Sequence, residues 1–437
     1  MKRLIITISL LLIPISSYAA ILEVGAGKTT YPTIQAAVNA AQAGDTVLVY
    51  PGIYAEGVFI PDGKAGTSTN PIIIKALYPA RKPLDGGAWA DTSGKRSIIN
   101  AAGQAAGIYN NCYCSSSRVG NLIIDGFYIT GGTLAAIHFI NDYDIWIKNN
   151  VAINNGYNQG ENYGDYITEW TDNTLIQNNY AEFSAGNVSS TGLYGIDGAN
   201  TILEYNECHI NAGVANSGRC FYVHHDSPNS IFRYNYVHLH NVSETQYGRF
   251  RDTTGFVITN NYIRSTTVQN MMVVHENTNT GLIENHTISR NTWVLEQGAG
   301  GNGSVLGLGF QNGDQVNYNI FYSGVNDTDS YAMDGGWNQY TGSNNTANGN
   351  VWWQWNALFD PALTGFTVTN SINTNPNVNT STGCAASVDN NTYGANLDVS
   401  NIPYQKCDGL TFYPFASKFG IIPDTTPPAP PTLLRVQ

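Results

Sequence analysis

Ile147-Lys-Asn-Asn150, Ile176-Gln-Asn-Asn179, Leu203-Glu-Tyr-Asn206, Phe232-Arg-Tyr-Asn235, Ile258-Thr-Asn-Asn261, Ile288-Ser-Arg-Asn291 and Val316-Asn-Tyr-Asn319 repeat one phrase, an apolar residue followed three positions later by asparagine. Gly126 extends the series on one side and Asn350 on the other. The mean step is about 28 residues, within the range of solenoid repeats. A period held this well means that each repeat lies on the one before it. An amide carries donors and an acceptor, so copies stacked ~4.8 Å apart can hydrogen-bond along a column. The asparagines are therefore read as structural, pointing inward or into a bend, with no part in chemistry.

Around the asparagines the apolar residues alternate, as in Phe256-Val-Ile258, which suits short strands with one face inward. A leucine-rich horseshoe is the rival solenoid. It needs a steady leucine five places before the asparagine, where this chain has Thr174, Thr201, Ser230 and Asp314. The residues after each asparagine also lack helical periodicity. The expected fold class is all-β, a right-handed parallel β-helix solenoid.

Composition agrees. The chain has 45 Gly, 27 Tyr and only 12% charged residues, a balance of strands and turns rather than helices. A net charge of −12 excludes general nucleic-acid binding, which needs a basic footprint. It also disfavours polyanionic partners unless a local basic patch or a bound cation compensates.

The chain opens with Lys2 and Arg3, an apolar run from Leu4 to Ile15, and Ser16-Ser17-Tyr18-Ala19-Ala20. This is the form of an export signal cut after Ala19, so residues 1–19 are expected to be removed. The apolar run is too short to span a bilayer, and no later segment reaches about 18 consecutive apolar residues. A secreted or periplasmic monomer without a membrane span is expected. In an oxidising compartment six cysteines permit disulfides. Cys384 with Cys407 is the favoured pair, both lying in the irregular C-terminal part. Cys112-Tyr-Cys114 has no second cysteine pair to make a metal site, and its partners stay open.

Thr33-Ile-Gln-Ala-Ala-Val-Asn-Ala-Ala-Gln-Ala43 reads as an amphipathic helix with Thr33 as N-cap and Ile34, Ala37, Val38 and Ala41 on one face. A helix laid over the open end of a solenoid is expected there, because the end exposes unpaired edges and apolar interior. The β-helix is expected over 20–350, a C-terminal cap or irregular region over 351–422, and a Pro-rich tail over 423–437.

The phrase from Ile34-Gln-Ala-Ala through Gly44-Asp-Thr-Val-Leu-Val-Tyr-Pro-Gly-Ile-Tyr54, followed by Asn70-Pro-Ile-Ile-Ile-Lys-Ala76, resembles the first coils of the pectate-lyase-like β-helix superfamily. Chondroitinase B and alginate lyases share this opening. The resemblance implies the fold over roughly residues 21–350 and, as an expectation, activity on a polysaccharide. Members of that superfamily use Lys or Arg bases, often with calcium held by acids on a parallel sheet, so calcium is the cofactor that the resemblance implies.

Chemistry is expected on one outward stripe. Taking Ile167, Ile196, Val223 and Phe250 as inward sends Thr168, Asp197, His224 and Arg251 outward on successive coils. Arg251, His224 and Asp197 are the candidate catalytic groups. Tyr166, Trp170, Tyr194 and Tyr222 are candidate platforms for sugar rings. Arg249 is expected to clamp carboxylates, with Glu169, His225 and His275 completing the binding surface and Asp226 and Asp252 available to a cation. Such a cleft suits β-elimination on a uronic-acid glycan, where a base takes the proton beside a neutralised carboxylate.

No lysine lies in the stripe, so the superfamily's Lys base is not matched. Asp197 with Asp226 or Asp252 would instead suit glycoside hydrolysis. Tyr194-Gly-Ile-Asp197 is similar to the start of a mannuronan C5-epimerase motif, but continues Gly198-Ala199 where those enzymes have Pro-His. A non-catalytic glycan-binding or adhesive β-helix needs only the fold and a polar face. The purely structural alternative is an ion-paired surface in which Asp252 and Glu276 neutralise Arg249 and Arg251.

Overall fold

The computed structural model describes residues 19–27, 30–84, 94–110, 116–156, 164–184, 192–211, 219–223, 227–240, 246–250, 253–266, 283–298, 304–307, 311–334, 343–361, 363–400 and 406–407. Three parallel sheets form the body. The first has 13 strands, from Ile21–Val24 to Phe366–Thr369, and the second, also of 13, runs from Gly52–Tyr54 to Ile372–Asn373. The third has 7, from Val58–Phe59 to Gln246–Phe250. One coil shows the path: Tyr143–Lys148 lies in the first sheet, Val151–Ile153 in the second and Gly164–Glu169 in the third, and Leu175–Gln177 returns to the first. This is the all-β parallel β-helix that the repeat implied.

The core is built of columns, one residue per coil. In the first sheet Ile124, Ile147, Ile176, Leu203, Phe232 and Ile258 lie in register and are buried. Ala152, Ala181, Cys208, Val237 and Ile263 repeat this in the second sheet, and Ile108, Ile137, Tyr166, Tyr194 and Phe221 in the third. All of these belong to one apolar cluster. Like residues stack on like because the strands repeat only a ladder spacing apart.

The asparagines form the expected column at the bend between the first and second sheets. Asn150, Asn179, Asn206, Asn235, Asn261, Asn291 and Asn319 each donate from Nδ2 to Oδ1 of the next, at 2.9–3.1 Å, the last bond reaching Asn350. Each Oδ1 from Asn179 to Asn350 also accepts the backbone N–H of the asparagine one coil earlier. The residue before each asparagine takes the left-handed conformation, with φ of 54–58° at Asn149, Asn178, Tyr205, Tyr234, Asn260, Arg290 and Tyr318. Tyrosine and arginine adopt that conformation reluctantly, so the amide ladder holds the bend against their preference.

Two sequence expectations shift. Gly126, with φ of 86°, belongs to the column of bend residues, and Phe127 stands in the asparagine position, its N–H donating to Asn150 Oδ1 at 2.8 Å. The sheets also continue past 350, through Val351–Phe359, Phe366–Thr369 and Ile372–Asn373. From there residues 374–400 run back along the second sheet. Tyr262 donates to the carbonyl of Thr380 at 2.7 Å, and Ala395 N–H donates to Thr292 Oγ1 at 2.9 Å. Ala395 and Leu397 close over Tyr205, Tyr234, Tyr236 and Tyr262.

The expected Cys384–Cys407 disulfide fastens this return segment. A second disulfide joins Cys208 to Cys220, both fully buried, and ties the second sheet to the third. Cys112 and Cys114 lie outside the described residues. At the N-terminal end a helix spans Ile34–Ala40, with Thr33 Oγ1 accepting from Ala36 N–H, and it buries Ile34, Ala37 and Val38 against the core. Among the described residues no helix is long and apolar enough to cross a membrane. Residues 1–18 and the Pro-rich tail lie outside the described part.

Candidate functional site

The third sheet carries the stripe expected from the sequence, with its phase slipped in one coil. Thr168 pairs with Ile196, which pairs with Val223, which pairs with Phe250. Thr168 therefore points inward and Ile167 outward, where it packs with Ala106 and Ala135. A slip of one residue exchanges the faces of a strand. For this reason Tyr166 is not a sugar platform. It fills the interior stacked on Tyr194, with ring centroids 5.1 Å apart, and Tyr194 stacks in turn on Phe221 at 5.3 Å. Both hydroxyls donate to backbone carbonyls, Tyr166 to Tyr180 and Tyr194 to Asn179 and Glu207.

Tyr222 faces outward but is covered, only 1% exposed, with the Arg219 guanidinium 5.3 Å from its ring centre. Asp197 is also buried rather than open to solvent. The chain after it packs hard on the neighbouring coil, where a Cβ on Gly198 would lie 2.2 Å from the carbonyl oxygen of Thr171. That leaves no room for the proline of the epimerase motif.

Two expected groups keep an accessible place. Trp170 is 50% exposed, and Glu169, at the end of its strand, lies 3.4 Å from His138 Nε2. Arg249 pairs through its backbone with Tyr222. His224, His225, Asp226, Arg251, Asp252 and His275 lie outside the described residues.

The second sheet carries a polar outer face that the motif reading missed. Its strands pair so that Val151, Tyr180, Glu207 and Tyr236 form one row and Ile153, Glu182, His209, His238 and Arg264 the next. At the N-terminal end of these rows a pocket of about 380 Å³ is walled by Arg81, Lys82, Arg96, Tyr128, Tyr180 and Glu182. Arg81 pairs with Glu207 at 2.8 Å and donates to Asn178 Oδ1 at 3.1 Å. Arg96 lies 5.2 Å from the centre of the Tyr128 ring, and Tyr180 donates to Glu182.

Further along, His209, His238 and His240 bring one ligating atom each within 4.8 Å of one another. Glu207 accepts a 2.7 Å hydrogen bond from His209 Nε2. The signal for this face was present in the asparagine register. Glu182, His209, His238 and Arg264 each fall three residues after a column asparagine, so alternation puts all four on one face.

Protonation on this face follows from burial and charge. Burial pushes Glu207 upward, but Arg81 and His209 outweigh it and hold the carboxyl at about 2. Burial, with His240, Arg264 and His209 nearby, lowers His238 to about 2. His240 is lowered as well, by burial and then by His209 and Arg264. Burial and the bond to Glu182 keep the Tyr180 phenol protonated far above its ordinary range. At neutral pH the face thus presents an ionised Glu207 beside neutral His238 and His240.

No family model and no curated protein matches the chain. Solved structures similar to it include a pectate lyase, Pel9A, with TM-score 0.48 and 13% identity over 86% of this chain and 83% of that one. A rhamnogalacturonan lyase matches with TM-score 0.48 and 12% identity over 72% and 84%. A lacto-N-biosidase of Eubacterium ramulus matches with TM-score 0.44 and 13% identity over 80% and 68%.

Proposed function

We propose that this protein is an exported β-helix that binds an acidic polysaccharide in the pocket on its second sheet. The observation that carries the reading is the convergence of Arg81, Lys82 and Arg96 with the rings of Tyr128 and Tyr180. In a chain of net charge −12 this is the local basic patch that a polyanionic ligand requires. Arginine meets a carboxylate with two parallel hydrogen bonds, and tyrosine offers a flat apolar surface with a polar tip. Arg81 is committed to Glu207 and Asn178, so Lys82 and Arg96, both partly exposed, are the groups assigned to the ligand. In the same reading the helix Ile34–Ala40 closes the N-terminal end of the solenoid.

The test is titration with uronic-acid oligosaccharides at low and raised ionic strength. The Lys82→Ala/Arg96→Ala double variant is expected to bind at least tenfold more weakly, about 1.4 kcal/mol, with an unchanged melting transition. Added salt should weaken the intact protein in the same direction. Full affinity in the double variant would sink the assignment.

A second reading places β-elimination on the third sheet, and exposed Trp170 beside Glu169 favours it. His224 and Arg251 follow directly on Val223 and Phe250, which pair, and are its proton-transfer groups, with Asp226 and Asp252 the ligands for calcium. Incubation with uronate polymers, with and without calcium, separates the readings. A lyase yields an unsaturated product that absorbs in the ultraviolet, a hydrolase yields reducing ends without it, and a binding protein yields neither. Loss of turnover in Trp170→Ala and His224→Ala, with binding intact in the pocket double variant, would move the site to the third sheet.

A further inference from the structure

We infer that His209, His238 and His240 form a binding site for a divalent transition-metal ion of the zinc class, on the outer face of the second sheet. The fold brings them together by two rules. His209 and His238 are register partners on adjacent coils, and His240 lies two residues beyond His238, so alternation returns it to the same face. His240 N–H donates to the carbonyl of Ile210 at 2.8 Å, which fixes its backbone beside the His209 strand. The ring centres of His238 and His240 are 3.4 Å apart, and those of His209 lie 5.6 and 5.8 Å from them.

Two further observations point to a ligand. His238 is only 7% exposed, and its buried Nε2 has no hydrogen-bond partner among the described residues. A buried polar atom left without a partner is costly, and a coordinated ion satisfies it. In addition, His209 Nε2 is held at 2.7 Å by the carboxylate of Glu207, itself anchored at 2.8 Å by Arg81. This is the carboxylate–histidine arrangement that orients a metal ligand, leaving Nδ1 for the ion.

The ligand set selects the metal. Three imidazole nitrogens suit zinc and its neighbours, whereas calcium takes oxygen ligands. Zinc–nitrogen bonds of ~2.0–2.1 Å place tetrahedral ligands roughly 3.4 Å apart, so small side-chain rotations close the present spacing. Arg264, the register partner of His238, brings a positive charge to the cluster, which neighbouring carboxylates offset. Arg264 is paired with Glu296 and Arg81 with Glu207, and Glu182, the register partner of His209, adds a further carboxylate. Three protein ligands leave a fourth position open. The inference stands apart from the glycan reading, since the histidines do not line the pocket.

The test uses tag-free protein stripped with a chelator and titrated with zinc or cobalt(II). One equivalent of metal per chain is expected, with the visible absorption of tetrahedral cobalt and a rise in melting temperature. His209→Ala and His240→Ala should each weaken binding at least ~100-fold, and Glu207→Gln by 10–100-fold with stoichiometry unchanged. Circular dichroism of each variant without metal checks that it is folded, and His240, the less buried residue, keeps the test open if another variant is not. Absence of stoichiometric binding by the intact protein, or affinity unaltered in folded His209→Ala and His240→Ala, would overturn the assignment.

Discussion

Replacing Asn235 with leucine is expected to lower the free energy of unfolding by about 2–6 kcal/mol, measured as a fall in urea midpoint with an unchanged slope. The figure follows from counting the groups left without partners. Asn235 Oδ1 accepts from Asn206 N–H at 3.0 Å and from Asn206 Nδ2 at 3.1 Å, and all of these atoms are buried. Leucine removes that acceptor and strands both donors, each costing about 1–3 kcal/mol. It also removes the donor that serves the carbonyl of Leu203 at 3.0 Å and Asn261 Oδ1 at 2.9 Å. Asn235→Asp separates the two halves of the argument. It keeps an acceptor for Asn206 but, when ionised, cannot donate to Leu203 or Asn261, so its destabilisation should shrink as acid protonates it. A leucine variant as stable as the parent would mean that the ladder decorates the bend rather than holding it.

The same ladder explains how far the sequence could be read. A polar residue at a fixed interval has little reason to be on a solvated surface, so Asn179, Asn206 and Asn235 located the bend and, through it, the strands on either side. Sites were harder, because loop lengths vary between coils and alternation fixes a face only where its phase is anchored. Ile196, Val223 and Phe250 share one phase and face the core. The apolar side chain of Ile167 suits an inward place, but the aromatic column puts Tyr166 there to stack on Tyr194. The face of the second sheet was legible by counting from each asparagine, since His209 and His238 share one offset. It carries no contiguous motif, for Glu182, His209, His238 and Arg264 come from four different coils. The contribution of Arg81 was beyond any local rule, for it reaches Asn178 and Glu207 across 97 residues or more of chain.

A second large effect is expected at Asp165, which is fully buried between the second and third sheets and accepts from Asn155 Nδ2 at 2.8 Å. Burial raises its carboxyl to about 8, against hydrogen bonds from Asn155 that work to lower it. The unfolded value is near 3.9. The folded state therefore keeps its proton where the unfolded state has lost it, and stability is fully present below pH ~4, then declines as pH rises toward 8. At about 1.4 kcal/mol per pH unit, the loss between pH 5 and pH 7 is of the order of 3 kcal/mol. Asp165→Asn copies the neutral carboxyl without the titration. Its stability relative to the parent should thus rise by about that amount over the same interval, whatever constant offset the amide introduces. Asp142, which burial also raises, to about 7, is common to both proteins and cancels in the comparison. Chemical denaturation of the pair at pH 5, 6 and 7 provides the measurement. A difference that stays flat across the three values, or falls, would show that Asp165 is ionised in the folded protein and that a partner other than Asn155 satisfies its charge.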